Sequence, residues 1–344
     1  MKALLEPLER FGRFDDLIRQ LKTNRGVVSV TGALDSQKAH LAAGLSQDVP
    51  FRLLIAENEL KARELYEDFR LYDPEVLYYP AKDLIFYQAD ISGNLLARER
   101  IRVIQAILER KTLTVVTSVG GCMDKLLPLE IFQEHCIHLK SDSELDLDKM
   151  KNELVRLGYE REAQVESWGQ FSIRGGILDI FPLTEENPWR IELWGDEIDS
   201  IRSFDVESQR SIENLEEITI YPATEMLLTE DALERGKAAI RKEAGRQQKY
   251  FRDQMLTEEG ARVEKGAKEI CSLLDSGLDF TGAEQYLTYF YPEPVSFLEY
   301  FPENARIFLD EPNRILECSK VLTEEFRESM APRLEKGYLL PGQT

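Results

Sequence analysis

Residues able to bind a phosphate group stand early in the chain. The segment Gly32-Ala33-Leu34-Asp35-Ser36-Gln37-Lys38-Ala39 follows an apolar stretch, and its first Gly and its Lys have the spacing of a P-loop, GxxxxGK[ST]. Gln37 replaces the second Gly, which crowds the loop, and Ala39 replaces the Ser/Thr that would bind Mg²⁺. We interpret the segment as a degenerate P-loop, with a plain strand-to-helix turn as the alternative. In neither case do we expect NTPase activity.

A second element of such a site stands near the end of the chain. Ile307-Phe308-Leu309-Asp310-Glu311 looks like the strand and paired carboxylates that complete a nucleotide site. Because the loop has no metal ligand, Asp310 and Glu311 are interpreted as a vestigial acidic pair with little left to do. We therefore expect no bound nucleotide, no metal and no other cofactor.

The cysteines and histidines do not suggest catalysis or metal binding. His135-Cys136-Ile137-His138 is the only local cluster of metal-capable side chains, and it has no second ligand pair. The pattern around Ile137 and Leu139 is typical of a short strand instead. The cysteines form no CxxC pair, which fits neither a zinc ribbon nor a disulfide framework; they are Cys122, Cys136, Cys271 and Cys318.

An aromatic residue on the polar side of a predicted strand is a stronger signal. In Arg190-Ile191-Glu192-Leu193-Trp194, alternation buries Ile191 and Leu193 and places Arg190, Glu192 and Trp194 on the opposite face. In Phe171-Ser172-Ile173-Arg174, Phe171 and Ile173 are the inward pair, and Ser172 and Arg174 point outward. A Trp beside Arg residues on a solvent-facing sheet is typical of a protein-interface hot spot. The alternative is that Trp194 packs under a neighbouring loop.

Residues 1–134 are predicted to form an α/β domain around the degenerate P-loop. Strands and helices alternate at lengths that indicate a parallel sheet with crossover helices, and Arg306–Leu309 is expected to join this sheet or one packed closely on it. The predicted strands are Val27–Val30, which we expect to be buried, Phe51–Ala56, Val76–Tyr79 and Leu113–Thr117. Four helices are predicted. The first carries Phe14, Leu17, Ile18 and Leu21, the second covers Gln37–Leu45, the third begins after a cap at Asn58, and the fourth covers Leu95–Leu108.

Residues 135–222 are predicted to form an inserted α+β domain, in which one helix packs on a small antiparallel sheet. The helix carries Leu145, Leu147, Met150, Leu154 and Leu157 and ends at Gly158, and Gly175-Gly176 is a hairpin signal. The predicted strands are Phe171–Arg174, Ile177–Phe181, Arg190–Trp194 and Glu197–Phe204.

Residues 223–344 are predicted to form a helix-rich second α/β subdomain. Its basic run from Arg235 to Arg252 could contact nucleic acid, but we favour the solvated face of a long helix, the more common origin of such runs.

Composition narrows the class of partner. The chain has 344 residues, with 43 Lys plus Arg against 63 Asp plus Glu, a net charge of −20. Such an acidic chain repels a phosphate backbone, so a protein partner is the better expectation. It has no apolar run long enough for a membrane helix and no secretory h-region at Met1–Pro7. We therefore expect a cytoplasmic protein without a membrane partner.

Three segments resemble known repair proteins. Phe171-Ser172-Ile173-Arg174-Gly175-Gly176-Ile177-Leu178-Asp179-Ile180-Phe181-Pro182 and Arg190-Ile191-Glu192-Leu193-Trp194-Gly195-Asp196-Glu197-Ile198 are similar to the excision-repair subunit UvrB and to the UvrB-like N-terminal region of the bacterial transcription-repair coupling factor, Mfd. Asp205-Val206-Glu207-Ser208-Gln209-Arg210-Ser211 resembles the coupling factor specifically. The degenerate P-loop also favours the coupling factor, and Pro80–Asn94 is too short for the damage-engaging hairpin of UvrB.

The resemblance implies a non-catalytic module with two helicase-like α/β subdomains and an inserted UvrA-docking domain. By matching positions it assigns UvrA contact to Arg174, Arg190 and Trp194, although Phe often stands where this chain has Trp194. It further implies that the chain is part of a longer factor. Other domains of that factor would bind RNA polymerase and contain the ATP-driven DNA translocase, and they would pack against this module and mask its docking surface until activation.

The resemblance thus predicts a recruitment module that brings nucleotide excision repair to stalled RNA polymerase. The alternative is an ATP-dependent, damage-binding repair subunit resembling UvrB itself, which Gln37 and Ala39 disfavour. A third interpretation is a DNA-binding module that uses the basic run from Arg235 to Arg252.

Overall fold

The computed structural model describes residues 2–10, 12–23, 26–82, 93–276 and 282–344. Its strands are β1 (Phe51–Ala56), β2 (Leu77–Tyr79), β3 (Leu113–Ser118), β4 (Lys125–Leu126), β5 (Ile137–Lys140), β6 (Glu160–Arg161), β7 (Gln170–Arg174), β8 (Ile177–Ile180), β9 (Trp189–Trp194), β10 (Glu197–Phe204), β11 (Ser211–Leu215), β12 (Glu217–Ile220), β13 (Val295–Ser296) and β14 (Arg306–Leu309).

The α-helices are α1 (Lys2–Glu9), α2 (Phe14–Thr23), α3 (Asp35–Leu45), α4 (Glu59–Phe69), α5 (Gly93–Glu109), α6 (Val119–Met123), α7 (Leu129–Glu134), α8 (Leu147–Arg156), α9 (Glu230–Asp253), α10 (Thr257–Asp275), α11 (Leu287–Phe290) and α12 (Pro312–Glu335). Short 3₁₀ helices cover Ala283–Tyr286, Phe297–Tyr300 and Pro341–Gln343. None of the described helices has both the length and the apolar character that crossing a bilayer requires.

The chain divides into two compact units. The first contains residues 1–82, 106–124 and 296–323, and the second contains residues 83–105, 125–295 and 324–344. The predicted division into three parts, at 134 and 222, stays a prediction.

The first unit is built on a parallel sheet in the order β14-β1-β3-β2. Leu54 and Val116 lie on the face that packs against α3 and α4. Asn58 caps α4 by accepting a hydrogen bond from the Lys61 N–H at 2.9 Å, as its position predicts. On the other face of the sheet, the rings of Tyr79 and Phe297 stack with their centroids 3.8 Å apart. The predicted parallel α/β architecture is therefore confirmed, and β14 belongs to this sheet.

The predicted buried strand Val27–Val30 is wrong. These residues have no strand assignment, and Val27 is 93% exposed. Their β-branched side chains favour an extended backbone, but a strand also needs a hydrogen-bonding partner. Here β14 occupies the edge of the sheet beside β1, and the segment before Gly32 pairs with no strand of the described chain.

The second unit contains a six-stranded sheet in the order β11-β10-β9-β8-β7-β6. Its neighbouring strands are antiparallel except for the short parallel pair of β6 and β7. Phe171, Ile180 and Ile191 are fully buried on its inner face, and α8 packs beside β7. The predicted antiparallel sheet with a helix against it is confirmed. Sequence patterning missed β11, whose residues are mostly exposed and lack a clean apolar alternation.

The rest of the second unit is largely helical. The 24-residue helix α9 packs along α10, with Lys237 of α9 donating to Asp275 of α10 at 2.6 Å. This long helix is the form that the basic run was predicted to take. Strands β5 and β12 form a separate antiparallel pair. The segment Pro80–Asn94, judged too short for a damage-engaging hairpin, lies mostly outside the described residues.

Candidate functional site

The register of β7, β8 and β9 brings the predicted interface residues onto one side of the six-stranded sheet. Cross-strand pairs align Ser172 with Asp179, and Asp179 with Arg190. Since side chains two residues apart share a face, Arg174 and Trp194 lie on the same side. We call this surface the outer face; it includes Ser172, Arg174, Asp179, Arg190, Glu192, Trp194 and Arg202.

A buried carboxylate joins the two predicted arginines. Asp179 is only 1% exposed, and its Oδ1 accepts from Arg190 Nε at 2.7 Å. Its Oδ2 accepts from Arg190 Nη2 at 2.8 Å and from Arg174 Nη2 at 2.6 Å. One carboxylate thus holds two guanidinium groups and leaves the cluster with a net positive charge. Such charge-assisted, partly bidentate bonds are short and directional.

The two arginines differ in how firmly they are held. Arg190 is 16% exposed, lies over the Phe204 ring at 4.4 Å, and also donates to Gln209 Oε1 at 2.9 Å. Hydrogen bonding to Asp179 raises the pKa of Arg190. Arg174 is 46% exposed and bonds Asp179 through a single nitrogen. Arg190 is therefore a fixed donor, whereas Arg174 has more freedom to reach a partner.

Trp194 is the most exposed large aromatic side chain of this face. It ends β9 at the turn around Gly195, whose φ of +65° is readily adopted by glycine, and 84% of its surface is exposed. The alternative that Trp194 packs under a neighbouring loop is therefore wrong. Glu192, on the same strand, pairs with Arg202 of β10.

The prediction that Ser172 faces solvent is wrong. Ser172 lies on the polar side of the strand, as predicted, but it is 1% exposed because the chain around Ala163 covers it. Its hydroxyl donates to the Ala163 carbonyl oxygen at 2.9 Å. The accessible part of the outer face therefore lies toward Arg174 and Trp194.

Asp179 and Gln209 were not identified as site residues from the sequence. Asp179 did leave a signal, because it is the one charged residue in the apolar strand Ile177–Ile180, and a buried carboxylate needs a charged partner. Gln209 left no such signal, since its role depends on the conformation of a loop.

The segment Gly32–Ala39, which we interpret as a degenerate P-loop, contains a lysine that pairs with carboxylates of the same unit. Lys38 Nζ lies 2.7 Å from Asp310 Oδ1, 3.0 Å from Asp35 Oδ1 and 3.1 Å from Glu311 Oε1. Burial opposes the charge of Lys38, but the hydrogen bonds to these carboxylates outweigh it and raise the pKa of Lys38 well above its usual value. The expectation that Asp310 and Glu311 have little to do is wrong: they neutralise the lysine that would contact phosphate in a working loop.

The two replaced P-loop positions also have structural roles. Gln37 Oε1 accepts a hydrogen bond from the Leu34 N–H at 3.0 Å and so caps the start of α3. Ala39 is completely buried in the core between α3 and the parallel sheet, and its methyl side chain has no hydroxyl to bind Mg²⁺. Gly32 adopts a φ of +85° in the turn before the helix.

The other candidate groups have local partners. His135 Nδ1 lies 2.7 Å from the Ile131 carbonyl oxygen, and His138 Nδ1 lies 3.0 Å from Thr219 Oγ1. Within the described ranges, no three or more His, Cys, Asp and Glu side chains are grouped as metal ligands. The four cysteines are free thiols. In the basic run, Lys237 is ion-paired with Asp275, and Arg235 donates to the Phe290 carbonyl oxygen.

Comparisons with known proteins identify the family of the chain. Residues 137–226 match the family model of the UvrB interaction domain, a range that includes the whole outer face. The chain is 33% identical over 341 residues to the transcription-repair-coupling factor of Staphylococcus haemolyticus, covering 98% of this chain and 28% of the relative. It is 35% identical over 320 residues to that of Staphylococcus aureus strain Mu50 (92% and 27%), and 34% identical over 297 residues to that of Bacillus subtilis (83% and 24%).

The chain thus spans about a quarter of the length of these relatives, while the relatives match between 83% and 98% of it. It belongs to the transcription-repair-coupling factor family, in which it corresponds to the N-terminal, UvrB-like module, and it carries a UvrB interaction domain at residues 137–226.

Proposed function

We propose that this chain is a non-catalytic recruitment module that binds UvrA through the outer face of its six-stranded sheet. In the intact factor it would bring nucleotide excision repair to RNA polymerase stalled at a lesion. Contacts with RNA polymerase and DNA would be made by other domains of the longer protein. Such a role places the protein in the cytoplasm and requires no cofactor of its own.

The observation that carries this proposal is an exposed Trp194 beside two arginines that a buried carboxylate holds. An indole that is 84% exposed keeps a large apolar surface in water, and covering it with a partner is favourable. Trp and Arg are the residues most enriched at interface hot spots. The partner surface that fits is a pocket for the indole with carboxylates beside it, since the cluster around Asp179 is positively charged.

The ion pairs of Lys38 argue against the alternative of an ATP-dependent, UvrB-like subunit. To bind phosphate, Lys38 would have to exchange three carboxylate contacts for the nucleotide, within a loop that has no Mg²⁺ ligand at Ala39. Asp35, Asp310 and Glu311 would also repel an incoming triphosphate. We therefore propose that the P-loop is degenerate and that this site holds the first unit together without nucleotide.

The test is the affinity of purified UvrA for the 344-residue chain and three single variants: Arg174→Ala, Arg190→Ala and Trp194→Ala. Because truncating a hot-spot residue costs about 2 kcal/mol or more, at least one variant should bind roughly 30-fold more weakly, and all three should bind more weakly than the unmodified chain. Tyr250→Ala, an exposed aromatic on α9, is the control and should bind normally. Thermal melting of each variant separates lost contact from lost fold. Normal binding by all three variants would overturn the proposal.

A further inference from the structure

The guanidinium group of Arg190 is already held by Asp179, Gln209 and Phe204 within the chain itself. Asp179 accepts from Nε and Nη2, and Gln209 accepts from Nη2 at 2.9 Å. The Arg190 Cζ atom lies over the Phe204 ring, 4.4 Å from its centroid. No described residue accepts a hydrogen bond from Nη1. The one nitrogen left to an incoming acceptor therefore belongs to a side chain whose rotamer is already fixed.

The conformation of its loop allows Gln209 to accept the hydrogen bond from Arg190. The 205–210 loop joins β10 to β11, and Gln209 adopts a φ of +57°, a left-handed conformation uncommon outside glycine. Its N–H donates to the Asp205 carbonyl oxygen at 2.8 Å, and its Nε2 donates to the Val206 carbonyl oxygen at 2.8 Å. Since Nε2 is engaged within the loop, Oε1 is turned toward Arg190.

The loop itself is closed by further bonds. Asp205 Oδ1 accepts from the Ser208 N–H at 2.8 Å and from its hydroxyl at 2.6 Å, and the Asp205 N–H donates to the Arg210 carbonyl oxygen at 2.9 Å. These bonds fix the backbone from which Gln209 reaches Arg190. All of these bonds lie within the 205–210 loop.

We propose that Gln209 is a positioning residue for docking, which pre-organises Arg190 to donate through Nη1 to an acidic side chain of the partner. This inference rests on the proposed function and adds a residue that does not itself need to touch the partner. Fixing a long side chain in advance removes ordering entropy from the binding step. Loss of the Gln209 amide should therefore weaken binding by roughly three- to tenfold.

A double-mutant cycle with purified UvrA tests the proposal. Gln209→Ala, Arg190→Ala and the double variant are measured in the 344-residue chain, with Glu207→Ala as the control in the same loop. If Gln209 acts through Arg190, its substitution weakens binding in the unmodified chain and has no further effect once Arg190 is alanine. Glu207→Ala should bind normally, because its exposed side chain does not contact Arg190.

A second variant separates positioning from stability. Glycine readily adopts the positive φ of position 209, and Gln209→Gly removes the side chain that accepts from Arg190. We therefore expect the same loss of UvrA affinity as in Gln209→Ala, without a lower melting temperature. An equal effect of Gln209→Ala in both backgrounds, no effect at all, or an equal loss in Glu207→Ala would overturn the inference. Normal binding by Arg190→Ala would instead overturn the proposed docking role of Arg190, and the inference with it.

Discussion

Asp179 is the residue on which the outer face depends. Its carboxylate is 1% exposed and accepts three hydrogen bonds from Arg174 and Arg190. A carboxylate in such a place is retained only if its partners compensate for the water it has lost. The same three bonds that satisfy Asp179 set the spacing of the two arginines, so the proposed UvrA contact depends on the same atoms as the stability of the fold.

Substituting Asp179 should therefore damage both properties. Asp179→Ala leaves the largely buried Arg190 without its charged partner, which we expect to lower the free energy of unfolding by about 3–5 kcal/mol. Arg174→Ala is the matched comparison, and because Arg174 is half-exposed it should cost no more than about 1 kcal/mol. Urea unfolding followed by circular dichroism measures both. Equal stability of the two variants would show that Asp179 does not organise the face.

Lys38 gives a second prediction for a single residue. Lys38→Met removes the cation shared by Asp35, Asp310 and Glu311, so the first unit should lose about 1–3 kcal/mol of stability. Because the pKa of Lys38 is raised, its stabilising effect is fully present below the usual 10.5 and is lost only at still higher pH. The difference in free energy of unfolding between the unmodified chain and Lys38→Met, measured by urea unfolding, should thus stay constant from neutral pH to about pH 10.

Nucleotide provides the control for that prediction. ATP with Mg²⁺ should leave the melting temperature of the unmodified chain unchanged, because ligands stabilise a fold only by binding its native state. A shift that requires Mg²⁺ and disappears in Lys38→Met would show that the lysine still contacts phosphate.

Alternation along the strands was sufficient to predict that Arg174, Arg190 and Trp194 share a face, because a two-residue period needs no knowledge of neighbours. It could not identify Asp179 or Gln209 as their supports. Which side chain meets which depends on strand register for Asp179, and on the left-handed backbone of the 205–210 loop for Gln209. The exposure of Trp194 was likewise not predictable, because alternation along a strand does not show whether a neighbouring loop covers the side chain.

Among the elements, the long helix α9 depends on a close approach at one glycine. A Cβ on Gly236 would lie 2.1 Å from the ring of Phe290 in α11, whereas one on Gly245 of the same helix would meet nothing within 4 Å. Glycine is otherwise a poor helix former. The two positions therefore make opposite predictions for the same substitution.

Gly236→Ala should destabilise the chain by about 1–3 kcal/mol, because the ring of Phe290 must move. Gly245→Ala should stabilise it by about 0.5–1 kcal/mol through helix propensity alone. Chemical denaturation of the pair gives both signs in one experiment. A stabilising effect at Gly236 would mean that α11 does not pack closely on α9.

Elements were predictable where local pattern and pairing agree. Phe51–Ala56 and Glu197–Phe204 are strands over the predicted residues, since each has the composition of a strand and finds neighbours on both sides. Val27–Val30 has the composition of a strand but pairs with no neighbouring strand of the described chain. The sheet edge beside β1 is taken by β14, which lies about 250 residues further along the sequence than β1, and no local pattern contains that pairing.

For the whole molecule, net charge governs binding to nucleic acid. With a charge of −20, and with Lys237 and Arg235 already engaged within the protein, the chain should bind duplex DNA weakly at physiological salt. Binding that remains should fall steeply with added salt and should decrease in an Arg246→Ala, Lys249→Ala double variant. Fluorescence anisotropy with a labelled duplex measures both effects. Tight binding that persists at high salt would support the DNA-binding interpretation of the basic run.

Burial of Trp194 on binding UvrA tests the central claim most directly. The emission of Trp194 is obtained as the difference between the unmodified chain and Trp194→Phe, which keeps an aromatic ring, with and without saturating UvrA. The buried Trp189 and the partly covered Trp168 cancel in this difference. If the outer face is the docking surface, the Trp194 emission shifts to shorter wavelength in the complex. A complex that forms with the emission of Trp194 still at its solvent-exposed wavelength would contradict the proposed docking surface.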